Sequence, residues 1–185
     1  LNKGYLMKTI ILAISILMSL SAFSKSFLGP QRYKRITKDR ILFEKYFKFF
    51  RCRHTSSKFK CVEPVRNYDG DTITVNIPKV HQLFGNEINV RVIGVDTGEI
   101  NTSDECEKEM ALEAKDFVEA ELAKAKTIEL HKLDRDKYFR IVADVMINGK
   151  SLSQKLIDEN LAYPYDGKSK PEVDWCKPLD EQFEM

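Results

Sequence analysis

The run Arg91-Val92-Ile93-Gly94-Val95-Asp96-Thr97-Gly98-Glu99 says most about the architecture of this chain. A cation opens it, and Val92, Ile93 and Val95 read as a buried strand. Two carboxylates, Asp96 and Glu99, follow the strand end, and Gly98 permits a sharp bend between them. Opposite charges are thus set along one rigid element. Taken alone, the stretch reads equally well as a surface ion pair, because charge clusters are often structural.

Two other stretches decide between these readings. Upstream, Asp69-Gly70-Asp71-Thr72 precedes the run Ile73, Thr74, Val75, Asn76, Ile77. Asp-Gly before such a run signals a hairpin or bulge. A plain turn accounts for Asp69 and Gly70 but not for Asp71, since Asp is depleted in strands. Downstream, Asp136-Lys137-Tyr138-Phe139-Arg140 leads a second Arg into the apolar run Ile141, Val142, Ala143.

In this order the three stretches resemble the staphylococcal nuclease (thermonuclease) family. Its pattern is Asp-Gly-Asp-Thr, then Arg-x-x-x-x-Asp-Thr-Pro-Glu, then Asp-Lys-Tyr-Gly-Arg. The resemblance spans about residues 59–167, and three ordered motifs are far more specific than any one. It implies a mainly β protein with packed helices (α+β), a five-stranded β-barrel of the oligonucleotide-binding type with about two helices. It further implies Ca²⁺-dependent hydrolysis of phosphodiester bonds in DNA and/or RNA. On that resemblance Asp71, Asp96 and the Thr97 carbonyl hold the ion, Glu99 is the general base, and Arg91 and Arg140 grip the phosphate. Lys137 and Tyr138 then stand near the nucleotide's terminal phosphate, and Tyr163 and Tyr165 line the nucleotide pocket. Two positions depart from the pattern. Gly98 stands where Pro is usual, which implies a looser loop under Glu99. Phe139 stands where Gly is common and adds bulk beside Arg140.

The residue types suit that chemistry. A phosphodiester is anionic and resists attack by water, so hydrolysis needs a positioned nucleophile and neutralised charge. Carboxylate oxygens suit a hard ion such as Ca²⁺. Planar guanidinium forks fit phosphate oxygens better than an ammonium does. Glu99, three residues past Asp96, can face a water rather than bind the ion. Asp69 reads as a turn residue supporting the site. His54, His81 and His131 fall outside the motifs and read as structural or solvated.

The rest of the chain frames this domain. Met7-Lys8 and the apolar run Thr9–Phe23 read as a signal peptide over residues 1–24, cut after Ser24, with residues 1–6 preceding the first Met. At roughly 15 residues the run is short for a transmembrane span. An uncleaved anchor is the alternative; after cleavage no stable membrane association is expected, and the site of action is secreted or periplasmic. A basic, aromatic-rich arm follows over residues 25–57. The formal charge of +2 is a cancellation: residues 25–60 hold twelve Lys and Arg against Asp39 and Glu44, while residues 61–185 are acidic by about ten charges. The arm reads as an amphipathic helix around 39–50, as an auxiliary nucleic-acid arm whose cations track phosphates and whose aromatics stack on bases, or as a segment that associates with the acidic domain. Residues 58–167 form one domain, expected to be monomeric, and 168–185 are a short tail in place of the family's long final helix.

Four cysteines allow three pairings. Cys52–Cys61 with Cys106–Cys176 is favoured, the second tying the region after the active-site loop to the tail. A metal cluster of Cys52, His54 and Cys61 is the rival, against which the spacing argues.

Strands are expected across Lys58–Ile77 around the Asp-Gly turn, at Asn89–Val95, at Thr127–His131 and at Phe139–Met146. Pro78–Asn86 and Lys132–Lys137 read as loops. A helix is expected over Glu105–Ala125, capped within Thr102–Asp104, with Met110, Ala114, Phe117, Val118 and Leu122 inward. A shorter helix, capped by Ser151, is expected to run through Glu159. Two other functions remain open: a non-catalytic barrel that binds nucleic acid or protein, and a zinc or redox protein. The five charged positions Asp71, Arg91, Asp96, Glu99 and Arg140 argue against the first, and cysteine spacing against the second.

Overall fold

Thr72, Ile73, Thr74 and Val75 alternate hydroxyl and hydrocarbon, and a strand sends successive side chains to opposite faces. That parity is the plan of the domain in the computed structural model, which describes Arg40 and residues 52–183. The expected signal segment and nearly all of the basic arm lie outside the described residues. Of two units, Leu1–Phe50 and Arg51–Met185, the second holds the elements that follow.

They run in order β1 (Lys58–Phe59), β2 (Glu63–Asn67), β3 (Thr72–Asn76), α1 (Gln82–Gly85), β4 (Ile88–Val92), β5 (Gly94–Asp96), α2 (Glu105–Ala123), β6 (Ile128–Arg135), β7 (Ile141–Ile147), β8 (Lys150–Ser151), α3 (Leu152–Asp158), β9 (Tyr163–Tyr165) and a short 3-10 turn at Leu179–Glu181. The main sheet has the order β1-β6-β7-β4-β3-β2, with β8 on β7; β5 and β9 form a separate antiparallel pair. The fold is therefore mixed α+β, as expected, but the paired ladder does not close into a barrel. Its two edges meet through chain continuity instead. β1 pairs with β6, the Val62 N–H donates to the Ile128 carbonyl at 3.0 Å, and β2 then pairs with β3.

Register puts Ile73 beside Val90, and Val90 beside Ile141. Val92 lies beside Ala143 on the parallel strand β7. This face is the core: Ile73, Val75, Val90, Val92, Ala143 and Val145 are all buried. Helix α3 adds Leu152 and Leu156, and α2 adds Ala114, Val118 and Leu122. The opposite parity, Thr74, Arg91 and Val142, lines a cleft. No helix among the described residues is long and apolar enough to cross a membrane.

Several expected boundaries shift for physical reasons. The strand at 89–95 breaks at Ile93, because Gly94 takes φ +87° and turns the chain from β4 to pair with β9. The charged loop expected at 132–137 is mostly strand: β6 continues to Arg135 past a bulge between His131 and Asp134. The loop at 78–86 contains α1, and His81 is its cap, with Nδ1 accepting the Leu83 N–H at 3.2 Å. Asp104 caps α2 by accepting the N–H groups of Cys106 and Glu107. Ser151 stands at the start of α3, but its hydroxyl donates to Asp144 at 2.7 Å rather than capping the helix.

Both favoured disulfides form, Cys52–Cys61 and Cys106–Cys176, with Cα separations of 5.3 and 5.2 Å. The rival metal cluster therefore does not exist; the His54 ring nitrogens meet the Pro78 carbonyl and the Lys60 N–H. Cys106 opens α2, so the second bridge fastens the tail to that helix. The tail also stacks Phe183 on Tyr163, with ring centres 4.9 Å apart, and sets Trp175 at 5.9 Å.

The two departures from the family pattern resolve oppositely. Gly98 is not loose: it is buried, and a Cβ there would sit 2.7 Å from the Glu107 carbonyl oxygen and 3.3 Å from the Ala111 Cβ. The missing side chain lets α2 lie directly on the loop that leads to Glu99. Phe139 has φ +61°, in the left-handed region that costs a bulky residue about 1–2 kcal/mol, and its ring is 79 % exposed. It stands away from the core rather than crowding it. Gly98→Ala should therefore destabilise the domain by about 1–3 kcal/mol in urea unfolding, as overpacking does; an unchanged midpoint would contradict the close approach. Phe139→Gly should stabilise by about 0.5–1 kcal/mol, strain relief exceeding the added chain entropy; a loss of stability would show that the ring is packed.

Candidate active site

Asp71 leads into β3, and Asp96 ends β5. Both carboxylates are nearly inaccessible, at 2 % exposure each. A buried carboxylate needs a cation and hydrogen-bond donors. Arg91 supplies the cation to both: Nη1 pairs with Asp71 Oδ1 and Nη2 with Asp96 Oδ1. Nη2 also reaches the Val95 carbonyl at 3.3 Å. The planar fork thus spans two acids that are 25 residues apart in sequence.

The remaining lone pairs are met locally. Asp71 Oδ2 accepts the Thr97 N–H at 3.1 Å and its hydroxyl at 3.2 Å, and Oδ1 accepts the Thr72 hydroxyl at 3.2 Å. Asp96 Oδ2 accepts the Tyr163 hydroxyl at 2.7 Å and pairs with Lys170 Nζ at 2.8 Å. Burial, together with the Asp96 carboxylate it serves, pushes the Tyr163 phenol well above its ordinary range, so it remains a donor. Asp69 behaves as the turn residue expected: its Oδ1 accepts the Asp71 N–H at 3.1 Å, and burial raises its carboxyl against hydrogen bonds from Thr72 and the charge of Arg91.

Glu99 stands on the rim, with its side chain 65 % exposed. Its backbone N–H donates to Glu107 Oε1, and its carboxylate meets Lys170 Nζ at 3.0 Å. Burial pulls the Lys170 ammonium down, but its bonds to Asp96 and Glu99 outweigh this and raise it.

Arg140 is placed by a turn. Asp136 Oδ1 accepts the N–H groups of Tyr138 and Arg140, each at 2.9 Å, and Oδ2 takes the Arg140 Nε–H at 2.7 Å. Burial would raise the Asp136 carboxyl; the Arg140 guanidinium and the two amides outweigh it and hold the carboxyl below its usual range. The guanidinium lies 5.6 Å from the Tyr138 ring centre, and Lys137 Nζ 5.2 Å from it.

One cleft of about 1300 Å³ gathers Arg91, Asp96, Glu99, Arg140 and the predicted substrate residues Lys137, Tyr138 and Tyr165. Asp71 and Thr97 lie behind its wall and reach it through Arg91 and Asp96. Tyr163 does not line it. That residue is 1 % exposed and is spent on Asp96 and on the aromatic packing of the tail, so its expected role in the nucleotide pocket is corrected. Sequence reasoning missed Lys170 and Asp136. The Asp-x-x-x-Arg spacing was a usable signal for Asp136; nothing local pointed to Lys170, 71 positions from Glu99.

The donor types suit a hard, oxygen-seeking ion: two buried carboxylates, and no Cys or His among the described residues that line the cleft. Asp71, Asp96 and Glu99 do not themselves converge as a three-ligand group. Among the described residues such a group occurs at Asp104, Cys106 and Cys176, where the disulfide consumes both sulfurs. The charge of the two buried acids is balanced in this structure by Arg91 and Lys170.

Comparison with known proteins places this geometry. The family model described as "Staphylococcal nuclease homologue" matches residues 89–180, a segment that holds Arg91, Asp96, Glu99, Arg140 and Lys170 but not Asp71. The thermonuclease of Staphylococcus hyicus is 34 % identical over 99 residues, which is 53 % of this chain and 55 % of that protein. The chain thus spans about half the length of the curated relative it matches. Through residues 89–180, the chain belongs to the staphylococcal nuclease-like family.

Proposed function

We propose that the domain is a Ca²⁺-dependent phosphodiesterase, an endonuclease acting on DNA and/or RNA. The observation that carries this reading is one guanidinium spanning two buried carboxylates at the edge of a cleft that also holds Glu99 and Arg140. A structural ion pair needs neither an exposed carboxylate on the rim nor a second arginine aimed by its own turn.

On this reading Asp71, Asp96 and the Thr97 carbonyl hold Ca²⁺, which when bound supplies charge neutralisation and a place for water beside the phosphate. Glu99 takes a proton from the attacking water as its oxygen bonds to phosphorus. The bond from phosphorus to the departing sugar oxygen breaks, and that oxygen takes a proton from solvent. Arg140 stabilises the charge that gathers on the phosphoryl oxygens; Asp136 engages its Nε–H, and among the described residues no group takes its two terminal NH2 groups. Arg91, already within the carboxylate pair, completes the clamp from the other side. Lys137 and Tyr138 meet a terminal phosphate, and Tyr165 meets the nucleoside. Two disulfides favour action outside the cytoplasm, secreted or periplasmic.

Digestion of single- and double-stranded DNA and RNA, with Ca²⁺ or with a chelator, tests this. Cleavage should appear with Ca²⁺ and vanish with the chelator. Glu99→Gln should lose about 10²–10⁴-fold in rate, and Arg140→Ala about 10²–10³-fold, with folding intact by circular dichroism. Cleavage by Glu99→Gln at the wild-type rate would remove Glu99 as the base. Tight binding of nucleic acid by the wild type without any cleavage would favour the non-catalytic module.

A further inference from the structure

Lys170 comes from the tail, yet its ammonium reaches the two acids on which the proposed chemistry turns, Asp96 at 2.8 Å and Glu99 at 3.0 Å. The tail is fastened on both sides of it. On one side the Tyr165 hydroxyl donates to the Lys168 carbonyl at 2.7 Å. On the other, Cys176 is bonded to Cys106 at the start of α2, and Trp175 packs on Tyr163, whose own hydroxyl is on Asp96. Among the described residues Lys170 is the one side-chain partner of the Glu99 carboxylate. It also completes the set on Asp96 Oδ2, with Tyr163 as the second donor.

An ammonium shared between two carboxylates does electrostatically what a divalent ion would do there. It draws the acids together and compensates their charge. It is also of the same sign as such an ion, and in a partly buried site like charges repel strongly. The two cannot share the Asp96 carboxylate.

We propose that the disulfide-fastened tail presents Lys170 as an internal cation, which gathers Glu99 towards Asp96 and must withdraw from Asp96 for Ca²⁺ to be held by that carboxylate. Lys170 is a positioning residue on this view, and it sets the affinity of the site for the ion. The inference rests on the ion-dependent reading given under Proposed function. A site whose competent form is populated only one-tenth of the time binds about tenfold more weakly than the open form. Removing the ammonium removes that handicap.

The test is Ca²⁺ binding to the full chain by titration calorimetry, with thermal unfolding read with and without Ca²⁺. Lys170→Met should bind Ca²⁺ about tenfold more tightly than wild type and should gain more thermal stability from the ion. Lys170→Arg, which keeps the cation, should stay within about threefold of wild type, short of that tenfold gain. The double variant Cys106→Ser/Cys176→Ser, which frees the tail but leaves Lys170 in place, should shift in the direction of Lys170→Met by a smaller factor. A wild type that binds Ca²⁺ and cuts nucleic acid, with Lys170→Met binding no tighter, overturns the role of Lys170 and leaves the nuclease reading standing. Absence of Ca²⁺ binding in wild type and Lys170→Met alike, together with no Ca²⁺-dependent cleavage, overturns both.

Discussion

One guanidinium organises the domain. Arg91 stands between Asp71 and Asp96, and each of those acids is buried too deeply to be solvated by water. Removing one partner from a buried ion pair typically costs 3–5 kcal/mol, because the charge left behind has no substitute for water. The pair therefore fixes the turn before β3, the middle of the sheet and the end of β5 to one another. Thr72, Thr97, Tyr163 and Lys170 are the further groups the two carboxylates require. Their arrangement follows from satisfying those oxygens.

Sheet parity then decides what faces the cleft. Arg91 sits opposite Thr72 on β3 and beside Val142 on β7, so its neighbours on that face are the short or polar side chains that leave room for a substrate. The same alternation sends Val90 and Val92 into the core. Arg140 enters two residues before Val142 and so shares its face. Its aim comes from Asp136, which folds the preceding turn around its own carboxylate. A rigid sheet supplies one arginine and a self-bonded turn the other.

The sequence was most informative where function is packed into a few consecutive residues. The Asp-Gly-Asp-Thr turn, the Arg-to-Glu strand and the Asp-to-Arg turn each hold their charges within ten positions, so their order and spacing carried the family resemblance, and Arg91, Asp96, Glu99 and Arg140 do line one cleft. The long helix was legible for a similar reason, since Asp104 and the apolar spacing to Leu122 are local signals. What escaped was settled by contacts distant in sequence. Tyr163 looked like a pocket aromatic, yet its hydroxyl is taken by Asp96, 67 positions away, and its ring by the tail. Lys170 had no motif; it is held by its ion pairs to Asp96 and Glu99, in a tail anchored by a bridge closed over 70 residues. The break at Gly94 was hidden inside an apolar run, because a glycine's φ is chosen by the second strand pair it must reach. Gly98 read as freedom and proved to be contact, a distinction that depends on where a helix lands.

On the proposed reading the Arg91-linked acids form a seat for a hard cation at the head of the cleft. Anomalous diffraction from crystals of the chain grown with Ca²⁺ tests it most directly. A calcium peak bounded by Asp71, Asp96 and the Thr97 carbonyl is expected, with the Lys170 ammonium moved off Asp96. A crystal saturated with Ca²⁺ that shows no peak at those residues, with Arg91 and Lys170 still closing the carboxylates, would contradict it.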